Sequence, residues 1–226
     1  SRKIPLIDDN TGKFLEIICY LAKPKKILEI GCGIGYSTFF LLKHFRKMIQ
    51  KTAFKNDNSF KRKSDNEEFN NGNINKNKNN AIYSYTGIDL NRDRISEAKK
   101  FICNMFSDLE NCEIFELKFI HGNAIKEIPK LWDRFDLVFI DAAKYEYPDY
   151  ARSLLKKLNP NCMVIADNIL YSNKLFKRNI SRHDCNSVRG LREYIIFITD
   201  NSLFNSTFFN IGDGIVLSEY IEKVAE

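Results

Sequence analysis

No run of about 18 consecutive apolar residues occurs in the chain, which leaves no candidate for a membrane-spanning helix. No CxxC pair occurs either. The six cysteines stand apart at 19, 32, 103, 112, 162 and 185, so neither a disulfide framework nor a thiolate zinc site is expected, and reduced buried thiols fit better. The opening residues, SRKIPLIDDNTGKF, lack the apolar stretch of a secretory signal, and a cytoplasmic location is the expectation. An excess of one charge is missing from most of the chain as well. The net charge is +6, but residues 46–80 hold nine Lys or Arg against four acids, while the remainder carries 26 basic and 25 acidic residues. A basic face spread over the folded body is therefore not indicated. Any grip on nucleic-acid phosphates would rest with that one segment.

What is present is enough apolar material for a substantial core. The chain has 226 residues, 44% of them hydrophobic, which suits one α/β domain over 1–226 better than two. Within it, residues 66–80 contain eight Asn in fifteen positions. Such a stretch has little to bury and cannot offset its ordering entropy, so about 48–80 reads as an Asn/Lys-rich, low-complexity insert forming a disordered surface loop.

On either side of the insert, strand-like and helix-like segments alternate. KKILEI (25–30) is a short apolar run that ends in glycines, and Tyr36 to about Lys47 reads as a helix. AIYSYTGIDL (81–90) is strand-like, and Arg92–Phe106 is helical, with Ile95, Ala98, Ile102 and Met105 on one face. EIFELKFIHG (113–122) is a strand, followed by a short helix to about Leu131. FDLVFIDA (135–142) is almost wholly apolar, as a strand buried on both faces should be. A helix over about Tyr147–Leu158, a strand at NCMVIADN (161–168), a helix near 187–200 and a hairpin over 206–220 turning at Gly212–Gly214 complete the pattern. Five strands alternating with helices predict a Rossmann-like, mostly parallel seven-stranded sheet with helices on both faces and an antiparallel hairpin at one edge. That architecture places ligands at the carboxyl ends of its strands.

The polar signals fall at those ends. Strand one runs into Glu29-Ile-Gly31-Cys-Gly33-Ile-Gly35-Tyr-Ser37, where glycines allow a tight turn and close approach to a ligand. A dinucleotide fingerprint would be GxGxxG. Here the third glycine comes one residue early and an acid precedes the first, which weakens an NAD reading. Strand two ends in Gly87-Ile-Asp89, whose carboxylate can accept two ribose hydroxyls; the alternative is a cap for the helix starting at Asn91–Arg92. Gly122-Asn123-Ala124 ends strand three, where it could border an adenine ring. Taken together, the three strand ends favour S-adenosylmethionine (SAM). Strand four ends in Asp141-Ala-Ala-Lys144 and strand five in Asp167-Asn168. Two carboxylates and an amide oxygen, without His or Cys, suit Mg²⁺, or else Mn²⁺ or Ca²⁺. The alternative treats Asp141 as a lone polar residue and Asp167-Asn168 as a turn.

The motifs ILEIGCGIGYST, YTGIDLN, FDLVFIDAAKYEYPDY, VIADNILYS and IGDGIVL, in this order, resemble the cation-dependent O-methyltransferases, the group of catechol and caffeoyl-CoA O-methyltransferases and of enzymes that methylate a hydroxylated tRNA uridine. The resemblance runs from about Ile4 to Leu217, interrupted by the insert. It implies that Gly31, Gly33 and Ser37 hold the methionine end of SAM, with Glu29 supporting the turn and Ile7 in the cofactor-gating segment Ile4–Gly12. It further implies that Asp89 binds the ribose, and that Asn123 and Ala124 lie near adenine. Asp141, Asp167 and Asn168 would ligate the metal, and Lys144 would be the general base for an acceptor hydroxyl.

The acceptor implied is a small catechol-like or vicinally oxygenated molecule, with a hydroxylated tRNA nucleoside as the alternative; the family also commonly forms homodimers. The sequence begins close to the gating segment, ahead of which members of the family it resembles usually carry one or two helices. Mammalian catechol enzymes place a glutamate before the final hairpin turn, where this chain reads Asn205-Ser-Thr-Phe-Phe-Asn210. A SAM-binding protein without catalysis is the competing class, and intact Asp141, Lys144, Asp167 and Asn168 argue against it. Among aromatics near the expected pocket, Tyr145, Tyr147, Tyr171 and Trp132, Tyr171 is the candidate to stack on a planar acceptor. Arg178, Arg182 and His183 could attract an anionic one.

Overall fold

The computed structural model describes residues 7–60, 82–110, 112–200 and 202–222. Its strands are β1 (Lys26–Ile30), β2 (Tyr83–Asp89), β3 (Phe115–His121), β4 (Phe135–Ile140), β5 (Leu158–Ala166), β6 (Phe204–Phe209) and β7 (Ile215–Tyr220). They form one seven-stranded sheet in the order β3-β2-β1-β4-β5-β7-β6. The first five pair in parallel, and β7 runs antiparallel between β5 and β6. This is the Rossmann-like sheet with an antiparallel edge hairpin that the alternation predicts. The order reverses between β1 and β4, and a crevice opens outside the carboxyl ends there.

The helices are α1 (Asp9–Ala22), α2 (Tyr36–Phe60), α3 (Arg92–Met105), α4 (Ser107–Glu110), α5 (Ala124–Glu127), α6 (Tyr147–Leu154) and α7 (Cys185–Thr199). Alternate residues of the central strands feed two separate apolar layers, as the two-residue period of a strand dictates. Leu28, Ile30, Val138, Ile140 and Val164 pack with Tyr147 and Leu154 of α6 and Leu191 and Tyr194 of α7. Ile27, Leu137, Phe139 and Ile165 pack on the other face with Leu15 of α1, Leu41 and Phe45 of α2, and Ile102 of α3.

Two segments differ from the sequence expectation. Helix α1 has no counterpart there. Its cap is Asp8, whose Oδ1 accepts the N–H groups of Asn10 at 2.8 Å and Thr11 at 3.1 Å. Helix α2 continues to Phe60, thirteen residues past its expected end, so the first part of the 48–80 insert is helical rather than looped. Lys, Arg, Gln and Met are good helix formers and no Pro or Gly interrupts residues 36–60, so the helix has no stop signal where the composition turns polar. The expected disorder of the remainder of the insert falls on residues 61–81, outside those described. No helix among the described residues is long and apolar enough to cross a membrane.

Candidate active site

The crevice is a cleft of about 480 Å³ built from strand ends. Gly31 follows β1 with φ +89°, and a Cβ there would lie 2.2 Å from the carbonyl oxygen of Asp141. Only glycine lets the β1 turn pass so close to the end of β4. Gly33 also has positive φ, +51°, but a Cβ would meet nothing within 4 Å, because this glycine faces the cleft. The turn is braced from the neighbouring strand. Asp89, at the end of β2, accepts the Gly33 N–H on Oδ2 at 2.9 Å and the Asn91 N–H on Oδ1 at 2.8 Å. The cap of α3 is Asn91, not Asp89. Each Asp89 oxygen retains a further lone pair for a ligand hydroxyl.

Below the turn lies a buried polar knot. Glu29, wholly shielded, accepts hydrogen bonds from Ser37 Oγ, from Tyr85 OH and, at 2.7 Å, from Thr38 Oγ1. Burial pushes its carboxyl up to about 7, against the three hydrogen bonds that favour the charged form. Glu29 and Ser37 therefore sit under the glycine turn rather than along the cleft wall. Thr38 and Tyr85 belong to the same knot and were not singled out from sequence. Their signal is positional: Thr38 follows Ser37 on the first turn of α2, and Tyr85 precedes Gly87 by the two-residue strand period.

Asn123 and Ala124 also line the cleft, and Asn123 caps α5 by accepting the Ile125 N–H at 3.0 Å. Ile7, only 8% exposed, lines the cleft as well. The other wall carries Asp141, Lys144, Asp167 and Asn168. Lys144 Nζ donates to Asp141 Oδ1 at 2.9 Å and to Tyr147 OH at 2.7 Å. Asp167 is 1% exposed, and its Oδ1 accepts the Asn168 N–H at 2.7 Å. Burial, then the nearby charge of Asp141, pushes the Asp167 carboxyl up to about 7. Asn168 has φ +54°, a left-handed conformation that Asn tolerates, and it turns the chain as it leaves β5. The β6–β7 turn pins that loop: Ile169 and Leu170 donate to the carbonyls of Gly214 and Asp213 at 3.0 Å, and the Asp213 carboxylate accepts the Ser172 N–H.

A family model described as O-methyltransferase matches residues 84–221, more than half of the chain. The chain belongs to the O-methyltransferase family. As a member it is a SAM-dependent O-methyltransferase, the enzyme class that the ordered motifs implied. A catechol O-methyltransferase of Niastella koreensis is 23% identical over 209 residues, covering 91% of this chain and 75% of that protein. Two solved structures share the fold. The O-methyltransferase from Bacillus cereus, in complex with SAH, superposes with a TM-score of 0.68 at 19% identity, over 95% of this chain and 82% of that one. TomG from Streptomyces achromogenes, an O-methyltransferase of tomaymycin synthesis in complex with SAM, gives 0.68 at 19% identity over 96% and 82%.

Two of the aromatic expectations, Trp132 and Tyr171, need correction in this methyltransferase. Trp132 is 99% exposed and lies away from the cleft, because it precedes β4 and so stands at the amino end of the sheet. Tyr171 is engaged elsewhere: its hydroxyl lies 3.2 Å from Asp184 Oδ1, and Lys174 Nζ stands 4.8 Å from its ring centre. Tyr145, expected near the pocket, does line the cleft, and Tyr150 lines it too, with its OH donating to Glu146. Arg178, Arg182 and His183 are exposed on the loop before α7.

Proposed function

We propose that this methyltransferase moves a methyl group from SAM to a hydroxyl oxygen of a small acceptor carrying adjacent oxygens, with a divalent cation and with Lys144 as general base. The observation that carries this reading is the placement of Lys144 Nζ 2.9 Å from Asp141 Oδ1, on the wall that also presents Asp167 and Asn168. Gly31, Gly33 and Asp89 line the same cleft.

The donor set fits a hard cation. Two carboxylates share a poorly hydrated wall with one lysine, which leaves the wall net negative, and burial followed by the charge of Asp141 makes Asp167 reluctant to ionise. Among the described residues no three His, Cys, Asp or Glu side chains gather around a point, so a cation here would need the Asn168 amide oxygen beside Asp141 and Asp167. When bound, a divalent ion supplies Lewis acidity that lowers the pKa of an acceptor hydroxyl and fixes it in place.

The chain's own residues do the rest. Gly31 and Gly33 admit the methionine end of SAM, Asp89 takes the ribose hydroxyls, and Asn123 and Ala124 border the adenine, with Ile7 at the rim. To act as base Lys144 must have given up its extra proton, and its free lone pair then takes the acceptor's hydroxyl proton. The oxygen attacks the sulfonium methyl, an O–CH₃ bond forms, the S–CH₃ bond breaks, and SAH leaves. No group on the protein is consumed, so positioning supplies much of the acceleration.

The test is transfer of labelled methyl from SAM to a panel of vicinal diphenols and to total tRNA, with Mg²⁺ and with EDTA. Label in a diphenol that vanishes with EDTA is expected. Equal transfer in EDTA removes the cation from the reading, and label confined to tRNA replaces the small acceptor.

A further inference from the structure

Lys144 opens a short 3-10 turn, Lys144–Glu146, between β4 and α6. A lysine so placed has few backbone restraints, and its four-carbon stem offers many rotamers. Two contacts compensate.

The first is Tyr147, which has no solvent exposure. Its phenol oxygen lies 2.7 Å from Lys144 Nζ, 2.9 Å from the Asp167 carbonyl oxygen and 3.2 Å from the Ile140 carbonyl oxygen. The phenol has one proton, and both carbonyls can only accept, so the proton goes to one of them. Toward Lys144 the oxygen can then only offer a lone pair. Lys144 nitrogen is tetrahedral. With one direction spent on Tyr147 and one on Asp141, a single direction remains for an acceptor, and those two residues set it.

The second contact is the seat of α7. A Cβ at Gly190 would lie 2.7 Å from Tyr145 Cα and 2.8 Å from the carbonyl oxygens of Lys144 and Tyr145. These are backbone atoms, so any side chain there must displace the turn or the helix. One turn further along α7, Tyr194 packs edge-on against Tyr147, with ring centres 5.5 Å apart at 81°.

We infer that Tyr147 and Gly190 are positioning residues for Lys144: the phenol aims the amine, and the close helix seat fixes the turn that carries it. The inference rests on the reading of Lys144 as general base. It says that a buried phenol with a committed proton cannot quench the lysine lone pair, only orient it.

The test compares Tyr147→Phe, Gly190→Ala, Lys144→Ala and Tyr194→Phe, each with Mg²⁺ and catechol, or whichever diphenol of the panel is methylated. SAM affinity is measured separately by calorimetry. Tyr147→Phe and Gly190→Ala are expected to lower kcat by about 10- to 100-fold, since misplacement of a general base costs that much. SAM affinity should stay within about twofold of wild type, and in the Lys144→Ala background each change should add less than about twofold. Tyr194→Phe, from the same ring cluster, should keep wild-type kcat.

Wild-type kcat in both Tyr147→Phe and Gly190→Ala, beside a defective Lys144→Ala, overturns the inference alone. So does an undiminished effect in the Lys144→Ala background. Wild-type kcat in Lys144→Ala removes the base reading and the inference with it. If Tyr147→Phe does not fold, Gly190→Ala carries the same comparison with the phenol intact. A readout independent of turnover is a crystal structure of Tyr147→Phe or Gly190→Ala: Nζ displaced from Asp141 supports the inference, and Nζ unmoved in both overturns it.

Discussion

Asp89 Oδ2 accepts the Gly33 N–H at 2.9 Å, so the carboxylate that ends β2 holds the glycine turn that succeeds β1. One side chain thus shapes the turn and faces the cleft. Asp89→Ala should weaken SAM binding by about 10- to 100-fold, the loss expected when hydrogen bonds to a charged group are removed. Isothermal titration of SAM reads this directly. Affinity within about threefold of wild type would take the ribose role away from Asp89 and leave it only the turn.

Asp167 makes stability depend on pH. Its native carboxyl sits at about 7 and its ordinary value is 3.8. Between those values the native state holds a proton that the unfolded chain has lost, so this group's contribution is present at low pH and fades as pH rises through about 7. In EDTA, urea stability of wild type minus that of Asp167→Asn should therefore decline from pH 4 to pH 7, by at most about 1.4 kcal/mol per unit. Glu29 shifts in the same sense and cancels in the difference. Mg²⁺ should stabilise wild type more at pH 8 than at pH 5, because ligands bind deprotonated. Parallel stability curves for the two proteins would sink the expectation.

The strands and most of the cleft were legible because a buried parallel strand is a short apolar run, and because the residues at the carboxyl end of each run are polar and lie on the ligand side. β4 and its Asp141–Lys144 tail show both features. Helix α1 was not legible because its buried face is mixed with polar residues and its first turn, Asp9–Gly12, falls within the segment read as a gate. Ser37 and Glu29 were found as residues but not as a buried pair. Sequence spacing places both near the turn, whereas only packing shows that Ser37 Oγ turns inward to Glu29. Tyr147 was visible as an aromatic three residues beyond Lys144. Its hydrogen bond to the lysine depends on the 3-10 turn between them, which no propensity predicts.

Tyr194 offers a stability test free of catalysis. Its hydroxyl is fully buried and finds no hydrogen-bond partner among the described residues. An unsatisfied buried hydroxyl costs about 1–3 kcal/mol, and the ring itself is well packed against Tyr147. Tyr194→Phe should raise stability by about 1 kcal/mol, seen as a melting temperature about 2–4 °C higher. A lower melting temperature would mean that the hydroxyl has a partner, such as a buried water.

Gly31 and Gly33 stand two residues apart and should respond differently to the same methyl group. At Gly31 a Cβ meets the Asp141 backbone oxygen at 2.2 Å with φ at +89°, so Gly31→Ala must separate β1 from β4 at their ends. A loss above about 3 kcal/mol is expected, from strain and overpacking together. At Gly33 the Cβ enters open space with φ at +51°, which costs only about 1–2 kcal/mol of backbone strain. That space is the cleft where SAM would lie against the turn. Gly33→Ala should therefore stay folded, with a melting temperature lowered by about 2–8 °C, yet bind SAM poorly. Gly31→Ala should fail in thermal melting before binding can be compared. If Gly33→Ala binds SAM as wild type does, the cofactor does not approach this glycine, and the methionine end must be placed elsewhere along the turn.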